Sequence, residues 1–217
     1  MRLKPLQNRT DTLYPVILPV PAALYAGLPV RERVRFLSRH ARQALGRSAR
    51  KQGVCFNVRS FEKDDNGAPL PLGCWYWSLT HKPEYVGGVI SPVPAGLDLE
   101  KIQPVSPGLF KKVAVPAEWF LLDPDRPESF FRYWTAKEAV LKATGVGLRD
   151  LLQCRVIRVV DATHLLLDYR NREWRIEQVT FGGHMAAIVK NDFNVEWVVH
   201  HSEDSSSSET GIRRPAG

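Results

Sequence analysis

Between residues 31 and 46 the apolar side chains Val34, Leu37, Ala41, Ala44 and Leu45 recur at steps of three and four. That spacing lines one face of an α-helix, with Gly46 as its stop and basic residues on the other faces. A clearer helical pattern covers 130–144 and is closed by Gly145 and Gly147. Short apolar stretches at 74–80, 85–91, 97–99, 155–160, 165–169, 173–180 and 185–189 read as strands. Residues 12–30 carry four prolines and read as extended or irregular chain. Residues 61–73 are rich in turn formers, with Asn66-Gly67 suited to a tight turn. Residues 104–122 read as helical or irregular, and 123–128 as a polar turn. The connector 91–96 (SPVPAG) separates two runs of the same order, a helix and then strands. The expected class is therefore α+β, with halves at 1–95 and 96–199. The polar, serine-rich stretch 200–217 is expected to be a disordered tail.

Composition narrows the class without changing it. The chain has 217 residues, 44% hydrophobic and 24% charged, enough to bury a core without disulfide staples. No apolar run approaches the ~20 residues of a membrane span. The opening residues MRLKPLQNRTD lack the apolar region of a secretory signal. Cys55, Cys74 and Cys154 are an odd number without metal-site spacing, which suits a reducing, cytoplasmic compartment.

Charge is unevenly spread. Lys and Arg outnumber Asp and Glu by 14 to 6 over residues 1–95, a balance of +8. The counts are 14 and 14 over 96–199, and 2 and 3 over 200–217. Most of the excess lies in 31–51, where eight basic residues meet one acid. Such density suits a polyanion or a multiply phosphorylated ligand, or else a solvated helix face.

Three groups of residues could carry chemistry. Asp98 and Glu100, in GLDLE, alternate on a strand, so both carboxylates face one way and Leu97 and Leu99 face the core. Two like charges on one face invite a divalent cation, and hard oxygen donors favour magnesium; a polar outer strand face is the plain alternative. In WTAKEAVLK, Glu138 and Lys142 are four apart and share a helix face with Trp134. By itself this is an ordinary ion pair. Beside Asp98 and Glu100, Glu138 would complete a set of three acids, with lysines ready to neutralise phosphate oxygens. In SLTHKP, His81 ends a strand next to Lys82, where it is either structural or a phosphate contact. The glycine-rich nucleotide loops GxGxxG and GxxxxGK[ST] are absent, as are zinc-finger spacings and the GxSxG elbow.

The ordered set SLTH, GLDLE and WTAKEAVLK resembles the 4'-phosphopantetheinyl transferase family, in its two-lobed surfactin/enterobactin-synthetase type. FLSRHARQAL and DDNGAPLPLGCWYWSLTH are similar to segments of the enterobactin-like branch, so the resemblance covers about 31–190. It implies two similar lobes, each a small antiparallel sheet packed on a long helix, with the site between them. It implies Mg2+ held by Asp98, Glu100 and Glu138, with Glu138 also the base for a carrier-protein serine. Lys142 would contact the coenzyme A phosphates and protonate the leaving group, and Lys137 would lie beside the same phosphates. His81 would hold the 3'-phosphate, and Arg39 and Arg42 belong to the helix that serves the nucleotide. The implied partners are coenzyme A and an acyl or peptidyl carrier protein. Nucleic acid and a membrane have no part in that reading, and the expected state is a monomer. Three positions depart from the pattern: Ser38-Arg39-His40 in the helix, Ala68 between Gly67 and Pro69, and Trp77 before Ser78. A bulky Trp77 would either narrow the nucleotide cleft or pack elsewhere.

Overall fold

The computed structural model describes residues 11–55, 61–65, 67–123 and 126–201. Residues 202–217, most of the expected tail, lie outside the described residues, as does Asn66 of the expected tight turn. Its neighbour Gly67 has a φ of +81°, and its N–H is donated to the Asp64 carbonyl at 2.9 Å.

Thr12–Leu13 (β1), Val16–Pro19 (β2) and Ala22–Ala26 (α1) lead into the long helix α2, Val30–Lys51. Leu37, Ala41, Ala44 and Leu45 of the expected stripe are buried, but Val34 is 65% exposed. Gly46 does not stop the helix. A helical glycine costs about 1 kcal/mol against alanine, and burial of Leu45, Ser48 and Ala49 around it carries the helix onward. The turn out of α2 comes at Gly53, whose φ is +70°.

α2 lies on a sheet built from β2, β3 (Tyr76–His81), β4 (Tyr85–Ser91) and β11 (Val198–Val199), in the order β11-β2-β4-β3. Contact is backbone to backbone: a Cβ on Gly88 would stand 2.4 Å from the Leu45 nitrogen. The second sheet has the order β5-β9-β8-β7-β6, antiparallel throughout. Its strands are β5 (Leu97–Lys101), β6 (Arg155–Val159), β7 (His164–Asp168), β8 (Glu173–Phe181) and β9 (His184–Val189). The helix α5, Pro127–Thr144, packs on this sheet, and α3 (Pro107–Val113) and α4 (Pro116–Trp119) cover its flank. Pro127 starts α5 at a position that needs no N–H donor, and Gly145 ends it in the left-handed conformation, φ +71°. Where the chain enters β5 it passes so close to α5 that a Cβ on Gly96 would lie 1.8 Å from the Ala139 carbonyl oxygen. Only glycine permits that approach, which sets the distance between β5 and α5 at the candidate site.

The class is mixed α+β, as expected, and the larger sheet is antiparallel, but two features differ from the sequence reading. The division at 95/96 does not hold for the last strands. β10 (Asn194–Val195) pairs with β1, and β11 pairs with β2, both in parallel. The first sheet is therefore mixed rather than antiparallel. Strands of two residues leave no periodicity to read. The two sheets also share a core. Leu13, Ile17 and Val89 pack with Leu97, Leu99, Ala186 and Ile188. The Ser78 hydroxyl accepts the Leu97 N–H at 3.0 Å, which ties β3 to β5. Among the described residues no helix is long and apolar enough to cross a membrane.

Candidate active site

β5 turns Leu97 and Leu99 into the shared core, as alternation requires, and carries Asp98 and Glu100 on its other face. α5 crosses that face and brings Glu138 and Lys142. The Lys142 ammonium donates to Asp98 Oδ1 at 2.6 Å and to the Leu97 carbonyl at 3.2 Å. Thr80 of β3 donates its hydroxyl to the same Asp98 oxygen at 3.4 Å. Asp98 is 4% exposed, and its Oδ2 is buried with no hydrogen-bond partner. Glu100 accepts from Trp134 Nε1 at 2.9 Å and pairs with Lys82 at 2.7 Å. Burial and the charge of Asp98 raise the Glu100 pKa above the ordinary carboxylate range.

Glu138 differs from both. It has no hydrogen bond or ion pair among the described residues. Burial, and then the Asp98 charge, push its pKa up to about 7, with Lys142 opposing the shift. A carboxyl near neutrality takes up and releases a proton readily.

The three acids do not close into a finished cage. Among the described residues no group of three or more His, Cys, Asp or Glu stands close enough to hold a metal ion. Lys142 and Lys82 instead supply the positive charge beside Asp98 and Glu100. The donors still suit a hard dication. They are all carboxylate oxygens, one is a buried oxygen without a partner, and two acids have pKa values raised by burial and by the Asp98 charge.

Further basic groups come from β3 and α2. His81 at the end of β3 is exposed at its edge, yet its surroundings hold its pKa below the usual value, through partial burial and then the charge of Lys142, with Lys63 and Lys82 adding to it. Arg42 of α2 is half-buried and donates to the Phe61 carbonyl at 3.1 Å. Arg39 is exposed and makes no hydrogen bond or ion pair among the described residues.

Lys137 departs from the expected arrangement. It was expected beside the phosphates, but its side chain is 0% exposed and points into the core behind α5. It pairs with Glu118 at 2.7 Å and donates to the Val113 carbonyl at 2.8 Å. Lys137 is five residues from Lys142, so a 100° turn per residue sends the two side chains to different faces. Trp77 resolves the other open point. It packs elsewhere, in a cluster with Leu45, Ala49, Phe61 and Ile90, and donates Nε1 to the Leu70 carbonyl at 2.8 Å.

Two cations at the site carry no motif. Lys82 was visible only as the neighbour of His81. Lys63, in the turn-rich stretch 61–73, gave no signal, because its position depends on how that stretch folds back over α2 and β3.

Residues 94–189 match the model of the 4'-phosphopantetheinyl transferase superfamily. The chain is 32% identical over 94 residues to the 4'-phosphopantetheinyl transferase psf-1 of Bacillus pumilus, covering 41% of this chain and 40% of that one. It is 43% identical over 67 residues to 4'-phosphopantetheinyl transferase HetI of Nostoc sp., 28% of each chain. Over 120 residues it is 25% identical to a 4'-phosphopantetheinyl transferase of Bacillus subtilis, 54% of this chain and 52% of that one. The matched portion thus spans about half or less of the length of these curated relatives. The family-model match, 94–189, contains β5 and α5, the two elements that bring Asp98, Glu100, Glu138 and Lys142 to one place. On these grounds residues 94–189 resemble the 4'-phosphopantetheinyl transferase superfamily, and over part of its length the chain is similar to transferases of that kind.

Proposed function

We propose that this protein transfers 4'-phosphopantetheine from coenzyme A to a serine of an acyl or peptidyl carrier protein, releasing 3',5'-ADP. The observation that carries the reading is Glu138, an unpartnered carboxyl with a pKa of about 7 beside Asp98. The two sheet-and-helix halves are read as the two lobes of the surfactin/enterobactin-synthetase type. The first would supply the basic wall for the nucleotide, and the second the acids.

Asp98, Glu100 and Glu138 would hold Mg2+, which when bound neutralises diphosphate oxygens and lowers the barrier to attack at phosphorus. Glu138 accepts the serine proton, directly or through water, as the serine oxygen bonds to the phosphorus that bears pantetheine. The bond from that phosphorus to the bridging oxygen breaks, and 3',5'-ADP leaves. Lys142 neutralises, and then protonates, the departing phosphate oxygen. Its present hydrogen bond to Asp98 holds the ammonium beside the acids. Arg42 and His81 would hold the nucleotide phosphates, with exposed Arg39 nearby as a weaker contact.

The carrier would dock beside α3. Lys111 and Lys112 are exposed there, and Leu109, 40% exposed, and Phe120, 90% exposed, add apolar surface. Such a mixed patch suits an acidic, partly apolar helix.

The test is to mix the protein with coenzyme A, Mg2+ and an apo carrier protein, and to read the carrier's intact mass. A gain of one phosphopantetheine that disappears in excess chelator is expected. No gain with any of several acyl and peptidyl carriers would overturn the proposal, and a gain that persists unchanged in chelator would overturn the magnesium role.

A further inference from the structure

Lys63 stands in a short hairpin-like fold outside all three motifs. The Lys63 and Pro69 backbones form an isolated antiparallel bridge. Leu70 donates its N–H to the Glu62 carbonyl at 3.0 Å, and Asp64 to the Ala68 carbonyl at 2.9 Å. Two anchors fix this unit. On one side Arg42 of α2 donates to the Phe61 carbonyl at 3.1 Å. On the other, Trp77 of β3 donates to the Leu70 carbonyl at 2.8 Å and packs edge-on against Phe61, with ring centres 5.3 Å apart. The far limb reaches the end of α5, where Ala68, Pro69 and Lys142 line one small cavity of about 170 Å³. The hairpin therefore spans from Arg42 to Lys142.

The Lys63 side chain has no hydrogen bond or ion pair among the described residues. Lys63 is exposed at its edge, and its pKa is held below the ordinary lysine value, first by partial burial and then by the charges of Arg42 and Lys142. Its own charge acts in turn on His81. Glu62 and Asp64 flank it in sequence, but neither forms an ion pair with it among the described residues, and Asp64 Oδ1 accepts the Ala68 N–H at 2.8 Å. Four basic groups from α2, the hairpin, β3 and α5 thus converge, and of their ammonium and guanidinium groups only Lys142 meets a carboxylate among the described residues. Holding such charges together is unfavourable without an anion. The arrangement is stabilised when a multiply charged anion enters.

We infer that Lys63 is a phosphate-binding residue of the nucleotide site, held between Arg42 and Lys142 by the hairpin that Trp77 and Phe61 anchor. The inference rests on the proposed function for the identity of the ligand, coenzyme A. It also gives Trp77 a purpose: the indole supports the loop that delivers the lysine, instead of narrowing the cleft.

The test compares the full chain with its Lys63→Ala and Lys63→Arg variants. Binding of coenzyme A and of 3'-dephospho-coenzyme A is measured by titration calorimetry, and the unliganded proteins are melted in parallel. Loss of one charge-assisted bond predicts a coenzyme A dissociation constant raised about tenfold to a hundredfold in Lys63→Ala. Lys63→Arg keeps the charge and should remain within about threefold of the wild type. The unliganded melting temperature should stay unchanged, because the side chain makes no hydrogen bond or ion pair among the described residues that its removal would break. Wild-type affinity in Lys63→Ala would overturn the inference while leaving the function intact. Equal weakening by alanine and arginine, with a lowered melting temperature, would also overturn it, since that marks a structural role. A wild-type protein that binds neither nucleotide would instead defeat the functional reading on which the inference rests.

Discussion

Replacing Lys137 by methionine separates a structural lysine from a phosphate contact. The side chains of Lys137 and Glu118 are 0% and 4% exposed, so water screens neither charge. Glu118 is already committed elsewhere: Oε1 accepts the Val156 N–H at 2.8 Å and Oε2 the Val115 N–H at 3.0 Å. These bonds tie α4 to β6 and cap the start of α4. Lys137 neutralises the carboxylate from below and closes the end of α3 through the Val113 carbonyl. Methionine fills similar volume but leaves Glu118 buried and unpaired. Breaking one side of a buried pair costs about 3–5 kcal/mol. For a chain of this size each kcal/mol moves the melting midpoint by ~2–4 °C, so a fall of roughly 6–20 °C is expected. The Lys137→Met, Glu118→Gln double variant removes the stranded charge too and should recover part of that loss. Scanning calorimetry reads the midpoints, and titration with coenzyme A reads the site, whose dissociation constant should stay at the wild-type value. A midpoint within about 2 °C of the wild type, together with weakened coenzyme A binding, would refute the reasoning. Lys137 would then belong with the phosphates after all.

Two further outcomes are expected. The folded pKa of Glu138, about 7, lies above its ordinary 4.5. Its contribution to stability is thus fully present below pH 4.5 and lost as pH rises through about 7. Urea unfolding from pH 4 to 8 should show wild type losing stability relative to Glu138→Gln across that window, by on the order of 3 kcal/mol, and regaining it with Mg2+. Parallel curves for the two proteins would rule out the raised pKa. For carrier docking, the Lys111→Glu, Lys112→Glu variant should raise the apparent KM for an acidic carrier and lessen its salt dependence, with the KM for coenzyme A unmoved. Steady-state kinetics at low and moderate salt check this, and unaltered carrier kinetics would move the docking surface to the neighbourhood of Phe120.

Local rules made much of this protein legible from its sequence. Strand β4 falls on 85–91 as its apolar run indicates, and α5 ends at Gly145, because a left-handed cap depends on one residue. Alternation put Asp98 and Glu100 on one side of β5, and the four-residue step put Glu138 and Lys142 on one side of α5. Spacing within an element is a property of backbone geometry, so it survives into the fold. Long-range packing decided the rest. Gly46 has the chemistry of a stop, but the buried Leu45, Ser48 and Ala49 beside it hold α2 together for another turn. Lys137 and Glu138 are adjacent in sequence, and a 100° rotation sends one into the core against Glu118 and the other into the cleft. β10 and β11 exist only because β1 and β2 offer edges to pair with, and two residues carry no pattern of their own. Lys63 joins Arg42, His81 and Lys142 through a hairpin anchored from α2 and β3, an arrangement between residues far apart in the chain that no local spacing encodes.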